Sequence, residues 1–153
     1  MTNPQKNKQN LYLQCEAFIN NRLNTIQSTI KEIQESLLSE TKSSAGDKHE
    51  TGRAMLQLER EKAGNQLAEI QKIKEGFSKI DISKTAKTVG LGSLVYTSNA
   101  NYFIGISAGE LTADNTKFYA ISPTTPIGQL LLGKTVGNHI VFREQKFIIK
   151  EVV

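Results

Sequence analysis

Apolar residues in the first half of the chain recur on a helical beat. Between Leu11 and Glu40 there is no Gly or Pro, and Ile19, Leu23, Ile26, Ile30, Ile33 and Leu37 follow one another at spacings of 4, 3, 4, 3 and 4. That is an a/d seam, which seats one helix against a partner. It predicts a helix from about Asn10 to Thr41, loosening through Lys42, Ser43, Ser44, Ala45 and Gly46. Asp47 restarts a helix that should run to about Gly76 or Phe77. Leu56, Ala63, Leu67, Ile70 and Phe77 keep a similar beat there, with Met55, Leu58 and Ile73 beside them. Gly52 and Gly64 each weaken this helix by roughly 1 kcal/mol relative to Ala, a cost that tertiary pairing must offset. Two helices joined by a short polar turn fold back as an antiparallel hairpin. About thirty residues at 1.5 Å each make an arm of roughly 45 Å. The arm should occupy residues 11–77, with its tip at 42–51, and it sets two carboxylates, Asp47 and Glu50, at the far end.

The texture changes after the arm. Residues 78–88 are rich in Lys, Ser, Thr and Asp and read as a linker. From residue 89 onward the apolar positions alternate in short β-type runs. Ser93–Thr97 and Asn101–Ile106 flank a turn at Ser98, Asn99 and Ala100, and Lys117–Ile121 is a third strand. Thr125 is placed as an N-cap with Pro126 at the first helical position, and the helix so opened runs through Ile127 to Leu132 and stops at Gly133. His139–Arg143 and Lys146–Val152 are two final strands turning at Glu144 and Gln145. Tyr102, Phe103, Phe118, Tyr119, Phe142 and Phe147 fall mostly on the core side by alternation. The expected fold is α+β, a helical hairpin followed by a small antiparallel sheet with one short helix over residues 89–153. Residues 1–10 are polar and are expected to be disordered.

Composition narrows the function classes. No apolar run approaches the roughly 20 residues needed to cross a bilayer, and Met1–Lys6 is not followed by the apolar stretch of a secretory signal. One cysteine, Cys15, excludes an internal disulfide and suits the reducing cytoplasm. It sits near the seam as a small buried hydrophobe, with no partner base nearby. The net charge is +4, yet residues 1–45 carry five basic and four acidic groups, 46–87 nine and seven, and 88–153 five and four. No segment is therefore a strongly basic nucleic-acid arm. Lys72, Lys74, Lys79, Lys84 and Lys87, set against Glu75 and Asp81, read as a solvated face or as a weak phosphate-facing patch.

Several stretches resemble the bacterial transcript-cleavage factors of the Gre type. At the tip, Gly46-Asp47-Lys48-His49-Glu50, with Arg60-Glu61 further along the helix, is similar to the family's G-D-x-x-E loop. Val89-Gly90-Leu91-Gly92-Ser93 is similar to the approach to its first strand. Ile121-Ser122-Pro123-Thr124-Thr125-Pro126-Ile127-Gly128-Gln129-Leu130-Leu131-Leu132-Gly133-Lys134-Thr135-Val136-Gly137 matches the family's ISPxSPIGxALLGKxVGD signature over nearly its full length. The order of parts agrees, a coiled-coil hairpin before an FKBP-like head. The chain departs from the family at Asn138, where Asp is usual. At the tip Lys48, His49 and Thr51 replace Leu, Lys and Asn, and Arg53 and Ala54 replace Glu and Tyr.

The resemblance implies an accessory factor of RNA polymerase rather than a free-standing enzyme. Its arm would reach through the polymerase's secondary channel, near nascent RNA. Asp47 and Glu50 would complete a Mg²⁺ site shared with the polymerase, and that ion would assist hydrolysis of backtracked RNA. In the head, Ser122, Pro123, Thr124, Thr125, Pro126 and Ile127 are the expected polymerase contacts. Spacing alone leaves another role open for the acids, since Asp with Glu three residues on is a capping-box-like start. His49 at a polar turn reads first as solvated, and Lys48, Arg53 and Arg60 as solvent-facing or paired with neighbouring acids. Two other readings stay open, a secondary-channel regulator without cleavage and a coiled-coil adaptor with no polymerase contact. A prolyl isomerase is disfavoured, because the short head has no Trp to floor a pocket and fold does not fix function. The seam is expected to close within one chain, giving a monomer, although an a/d seam can also recruit a second copy.

Overall fold

The computed structural model describes the backbone of residues 3–42 and 47–153, and the side chains of residues 3–40 and 51–153. Two long helices come first, α1 (Asn3–Lys42) and α2 (Asp47–Ser78). The order then runs β1 (Leu94–Thr97), β2 (Asn101–Ile104), β3 (Gly109–Ala113), β4 (Thr116–Ile121), α3 (Pro126–Leu131), β5 (His139–Phe142) and β6 (Gln145–Val152). This is the α+β architecture expected from the change of periodicity near residue 89. The chain forms two compact units, a helical one over Ile19–Glu75 and a head composed of Met1–Phe18 and Gly76–Val153. Among the described residues no helix is long and apolar enough to cross a membrane.

In the helical unit the seam closes as its spacing requires. Ile19, Ile26, Ile30 and Ile33 of α1 and Ala63 and Ile70 of α2 are buried, while Leu23, Leu37, Leu56, Leu67 and Ile73 are half-buried. Met55 and Leu58, at the margin of the beat, are 60% and 65% exposed. The two helices meet where α1 ends and α2 begins. Arg53 Nη1 donates to the Leu37 carbonyl at 3.5 Å, and the face of Gly52 abuts the Glu40 carboxylate.

The head sheet has six strands in the order β3-β4-β2-β1-β6-β5. Alternation predicts an antiparallel sheet, but β2 and β4 pair in parallel, with Tyr102 opposite Tyr119 and Ile104 opposite Ile121. The crossover between them holds β3, an edge strand that the apolar pattern does not reveal. Its residues Gly-Glu-Leu-Thr-Ala are mostly exposed. Asp114 and Asn115, both at positive φ (51° and 58°), turn it into β4, the conformation and residue types of a tight hairpin turn. On one sheet face Val95, Tyr102, Ile104, Phe147 and Ile149 form a core with Ile127 and Leu131 of α3. On the other, Leu94, Phe103 and Phe118 are fully buried, and Tyr96 meets Phe118 edge to face at 5.7 Å. Tyr119 falls on the Tyr102 face by register but is 39% exposed.

The first turns of α1 correct the expectation of a disordered start. Gln5 Nε2 donates to the Ile82 carbonyl at 2.8 Å, and Asn7 Nδ2 to the Tyr96 hydroxyl at 3.4 Å. Lys8, only 2% exposed, reaches the carbonyls of Lys84 at 2.9 Å and Val153 at 3.2 Å. These polar side chains are ordered because their partners lie 76 to 145 residues away in sequence, where local composition gives no sign of them. Tyr12 stacks on Phe77 at 4.5 Å. The segment 78–88 is also seated on the head. Asp81 binds the amide and hydroxyl of Ser83, which holds its carboxyl below the usual range. Ile80 also occupies the space beside Gly92.

Two predictions follow directly from this packing. Glu144 sits at φ 68° in the β5–β6 turn, a conformation costly for a side-chain-bearing residue. Glu144→Gly is expected to stabilise the head by about 0.5 kcal/mol after glycine's extra chain entropy is counted, read as a higher denaturant midpoint at unchanged slope. Cys15 is fully buried, as its place near the seam predicts, and burial pushes its thiol from 9.0 up to about 12. The folded state therefore keeps a proton that the unfolded chain releases above pH 9. The stability tied to this thiol is present below that pH and declines between pH 9 and 12. Between pH 9 and 10 the wild type should lose about 1 kcal/mol more than Cys15→Ala, measured by denaturation at each pH. Equal losses would contradict the assignment.

Candidate functional site

Two places in the chain carry the residues singled out by sequence. The first is the junction of the long helices. Helix α2 begins at Asp47, so Asp47 and Glu50 fall in its first turn, the position that the restart of the periodicity requires. Their side chains, and those of Lys48 and His49, lie outside the described residues, as does Gly46. Beyond them, Arg53 bonds across to α1 as described above, and the Arg60 guanidinium covers Gly64, 2.9 Å from where a Cβ would stand. Two carboxylates are hard oxygen donors of the kind Mg²⁺ accepts, usually one or two at a time with water and phosphate completing the shell. Among the described residues no group of three or more His, Cys, Asp or Glu side chains is arranged to hold a metal.

The second place is the corner between β4 and α3. Thr125 caps α3 in extended geometry, with φ −69° and ψ 157°, and Pro126 follows at the helix start. The cap is built from both sides. Thr125 Oγ1 accepts from the Gly128 amide at 3.2 Å and donates to the Ser122 carbonyl at 2.7 Å. The Ser122 hydroxyl bonds that of Thr124 at 2.8 Å and accepts from the Thr124 amide at 3.2 Å. Gln129 Nε2 returns to the Thr124 carbonyl at 3.0 Å, and Ser107 Oγ accepts from the Ser122 amide at 3.3 Å. The bond from the Gly128 amide satisfies a donor that a helix start leaves without an intrahelical partner, and the others fold the preceding loop onto the cap.

This corner sorts the six expected contact residues. Ile127 is 9% exposed and belongs to the core, so its side chain anchors the corner from within. Ser122, Pro123 and Thr125 are half-buried in the knot, while Thr124 and Pro126 are exposed. The surface available to a partner is therefore narrower than the sequence segment. Reading along the chain also missed Gly128, whose missing Cβ lets the Ser122 carbonyl approach. The helix start identifies Thr125 and Pro126, but the need for glycine arises only from the loop folding back.

No protein-family model matches the chain, and no curated protein matches it. Solved structures that resemble it include two of the same factor. One is a structure of the transcription factor Gfh1, 18% identical, covering 89% of this chain and 90% of that one at a TM-score of 0.37. The other is GreA factor homolog 1 (Gfh1) of Thermus thermophilus, also 18% identical, covering 94% of this chain and 93% of that one at a TM-score of 0.34. The functional reading therefore rests on the chain's own residues.

Of the remaining sequence candidates, the five lysines near the base of α2 are exposed but divided. Lys72 and Lys74 belong to the helical unit, and Lys79, Lys84 and Lys87 to the head. In the head, Lys79 and Lys84 line one shallow pocket together with Lys8 and the opposing Asp81.

Proposed function

We propose that the protein is an accessory factor of RNA polymerase that stimulates the polymerase's own cleavage of backtracked RNA. The observation that carries this reading is the coincidence of two motifs with the elements they require. The Gly-Asp-x-x-Glu motif falls where one long helix gives way to another, and the long Ile121–Gly137 signature forms the capped β4–α3 corner. Each alone is weak evidence, since a capping box is common and a capped corner can be purely structural. Their order on one chain, hairpin before head, favours a molecule that holds a partner with the head and delivers carboxylates with the arm.

In this reading Asp47 and Glu50 hold a Mg²⁺ ion jointly with the polymerase. A pair of divalent ions would lower the pKa of a water and stabilise the attacking and leaving oxygens of a phosphodiester. The role of this chain's residues is to supply two hard donors one helical turn apart. The partner's charge and the phosphate then complete a site that neither protein forms alone. The exposed Thr124 and Pro126 are the head's contact residues, and the capped corner fixes their position.

The test uses stalled elongation complexes with Mg²⁺, reading RNA length. The full chain is expected to shorten the transcript. Asp47→Ala and Glu50→Ala should each abolish the shortening while leaving polymerase binding within about twofold of the wild type, since in this reading the head holds the partner and a few contact residues carry most of the affinity. Cleavage that persists in the double variant would refute the metal role. A second reading, a channel regulator without cleavage, is favoured by Lys48, His49, Thr51, Arg53 and Ala54, all of which depart from the family's tip. Slower nucleotide addition without any shortened RNA would select it.

A further inference from the structure

One end of the head sheet holds an open cleft of about 670 Å³ that the polymerase reading leaves unused. It lies between the β1–β2 turn, the start of β4 and the β5–β6 turn. Its size is within the roughly 300–1,000 Å³ of small-ligand sites, and its chemistry is selective. The lining carries two cations, Lys117 and Arg143, and no carboxylate. The Arg143 guanidinium carbon lies over the Phe142 ring, 5.0 Å from its centroid. Among the described residues Lys117 pairs with Glu110 outside the cleft, at 3.4 Å with both side chains well exposed, a contact worth little and easily exchanged for an incoming anion. The exposed Tyr119 ring rests near Tyr102, centroids 6.2 Å apart. Side-chain amides complete the wall, with Asn99 Nδ2 bonded to Gln145 Oε1 at 3.2 Å between the two turns and Asn101 beside them.

We infer that this cleft binds a nucleotide unit, a planar base stacked on Tyr119 with its phosphate directed to Lys117 and Arg143. An inorganic anion would need only the cations, leaving the side-chain amides and the aromatic face without a role. A nucleobase uses both. Its π-face stacks on an aromatic ring irrespective of base identity, and its edge presents donors and acceptors side by side, as a carboxamide does. No carboxylate lines the cleft itself, and the Glu110 carboxylate on Lys117 is what an incoming phosphate displaces. The unit has two sources, a free mononucleotide or one residue of a single-stranded RNA.

The experiment titrates the isotopically labelled full chain with adenosine monophosphate, a short single-stranded RNA, inorganic phosphate and a glutamate-rich peptide, following amide shifts. No polymerase is present, so the outcome is independent of the cleavage assay. Saturable shifts with the nucleotide or the RNA at Asn99, Asn101, Lys117 and Tyr119 are expected. Equal affinity for the two assigns the free nucleotide, and clearly tighter RNA binding assigns the polymer. Tyr119→Ala and Arg143→Gln should each weaken binding by at least about tenfold, with the melting temperature unchanged. Lys117→Gln serves as a third variant should either fail to fold. Three results would overturn the inference: no saturable shift with either ligand, phosphate or peptide binding as tight as the nucleotide's, or unaltered affinity in folded Tyr119→Ala.

Discussion

Gly128→Ala is expected to destabilise the head by about 3 kcal/mol or more, combining overpacking with loss of a helix cap. A Cβ at this position would stand 2.3 Å from the Ser122 carbonyl oxygen, 2.9 Å from Thr125 Oγ1 and 3.0 Å from Pro123 Cα. Two of those three neighbours are backbone, so no flexible side chain can yield. Relief requires the loop to move away from α3, and that movement breaks the Thr125 bonds to Gly128 and Ser122 together. For a head of this size the melting temperature should fall by roughly 10–20 °C. Gly90→Ala provides the control. Its added methyl would meet nothing within 4 Å, and it should leave the melt within about a degree or two. Matching melts for the two variants would show that the corner is not the tight knot described.

The second large effect is at Lys8. Burial lowers its pKa, against the opposing influence of the Asp81 charge. Lys8→Glu would bring a carboxylate against the carbonyl oxygens that the ammonium now approaches at 2.9 and 3.2 Å. The cost is expected to be about 4 kcal/mol or more, since a buried charge is left facing acceptors. Lys8→Met should behave differently. The Val153 carbonyl also accepts from the Leu94 amide at 3.0 Å, and Lys84 is exposed enough for water to serve its carbonyl. Loss of the donor is offset by relief of the buried charge, so the change should stay within about 1 kcal/mol. The pH dependence has a definite sign. The unfolded chain binds this proton more tightly than the folded one, so the Lys8 contribution improves as pH rises toward the ordinary value of 10.5. Lys8→Met should lack that improvement. Equal stability of the Glu and Met variants would contradict the burial of a charged Lys8.

How far these features were legible depended on the range of the interactions behind them. The a/d seam, the restart at Asp47 and the Thr125–Pro126 helix start are written in residues a few positions apart, and the structure places all three where the sequence does. The buried run Leu94-Val95 and the run Tyr102-Phe103-Ile104 also reads as strand, although both sheet faces are covered and strict alternation is lost. Edge strand β3 escaped because an exposed edge needs no apolar residues. Its best sign was the Asp114-Asn115 turn, which takes left-handed backbone more readily than other residue pairs. The parallel β2–β4 pairing was hidden because alternation reports the face of a strand and not its direction. At the β4–α3 corner the helix start was visible, but the burial of Ile127 and the crowding at Gly128 arise from the loop folding back on itself. The acids at the tip were found by motif, and their role is a matter for the cleavage assay.

The head is assembled from two separated pieces of chain, and this has a practical consequence for anyone wishing to isolate it. Cutting at the sequence boundary near residue 78 would discard the stretch whose Gln5, Asn7, Lys8 and Gln14 bond to Ile82, Tyr96, Lys84 and Thr112. The fragment would also lose Leu11 and Cys15, both fully buried within this unit, and would be prone to aggregate through the apolar surface they leave. A soluble head calls for Asn3–Phe18 spliced through a flexible tether to Gly76–Val153, or supplied as a separate peptide that restores the missing layer on mixing.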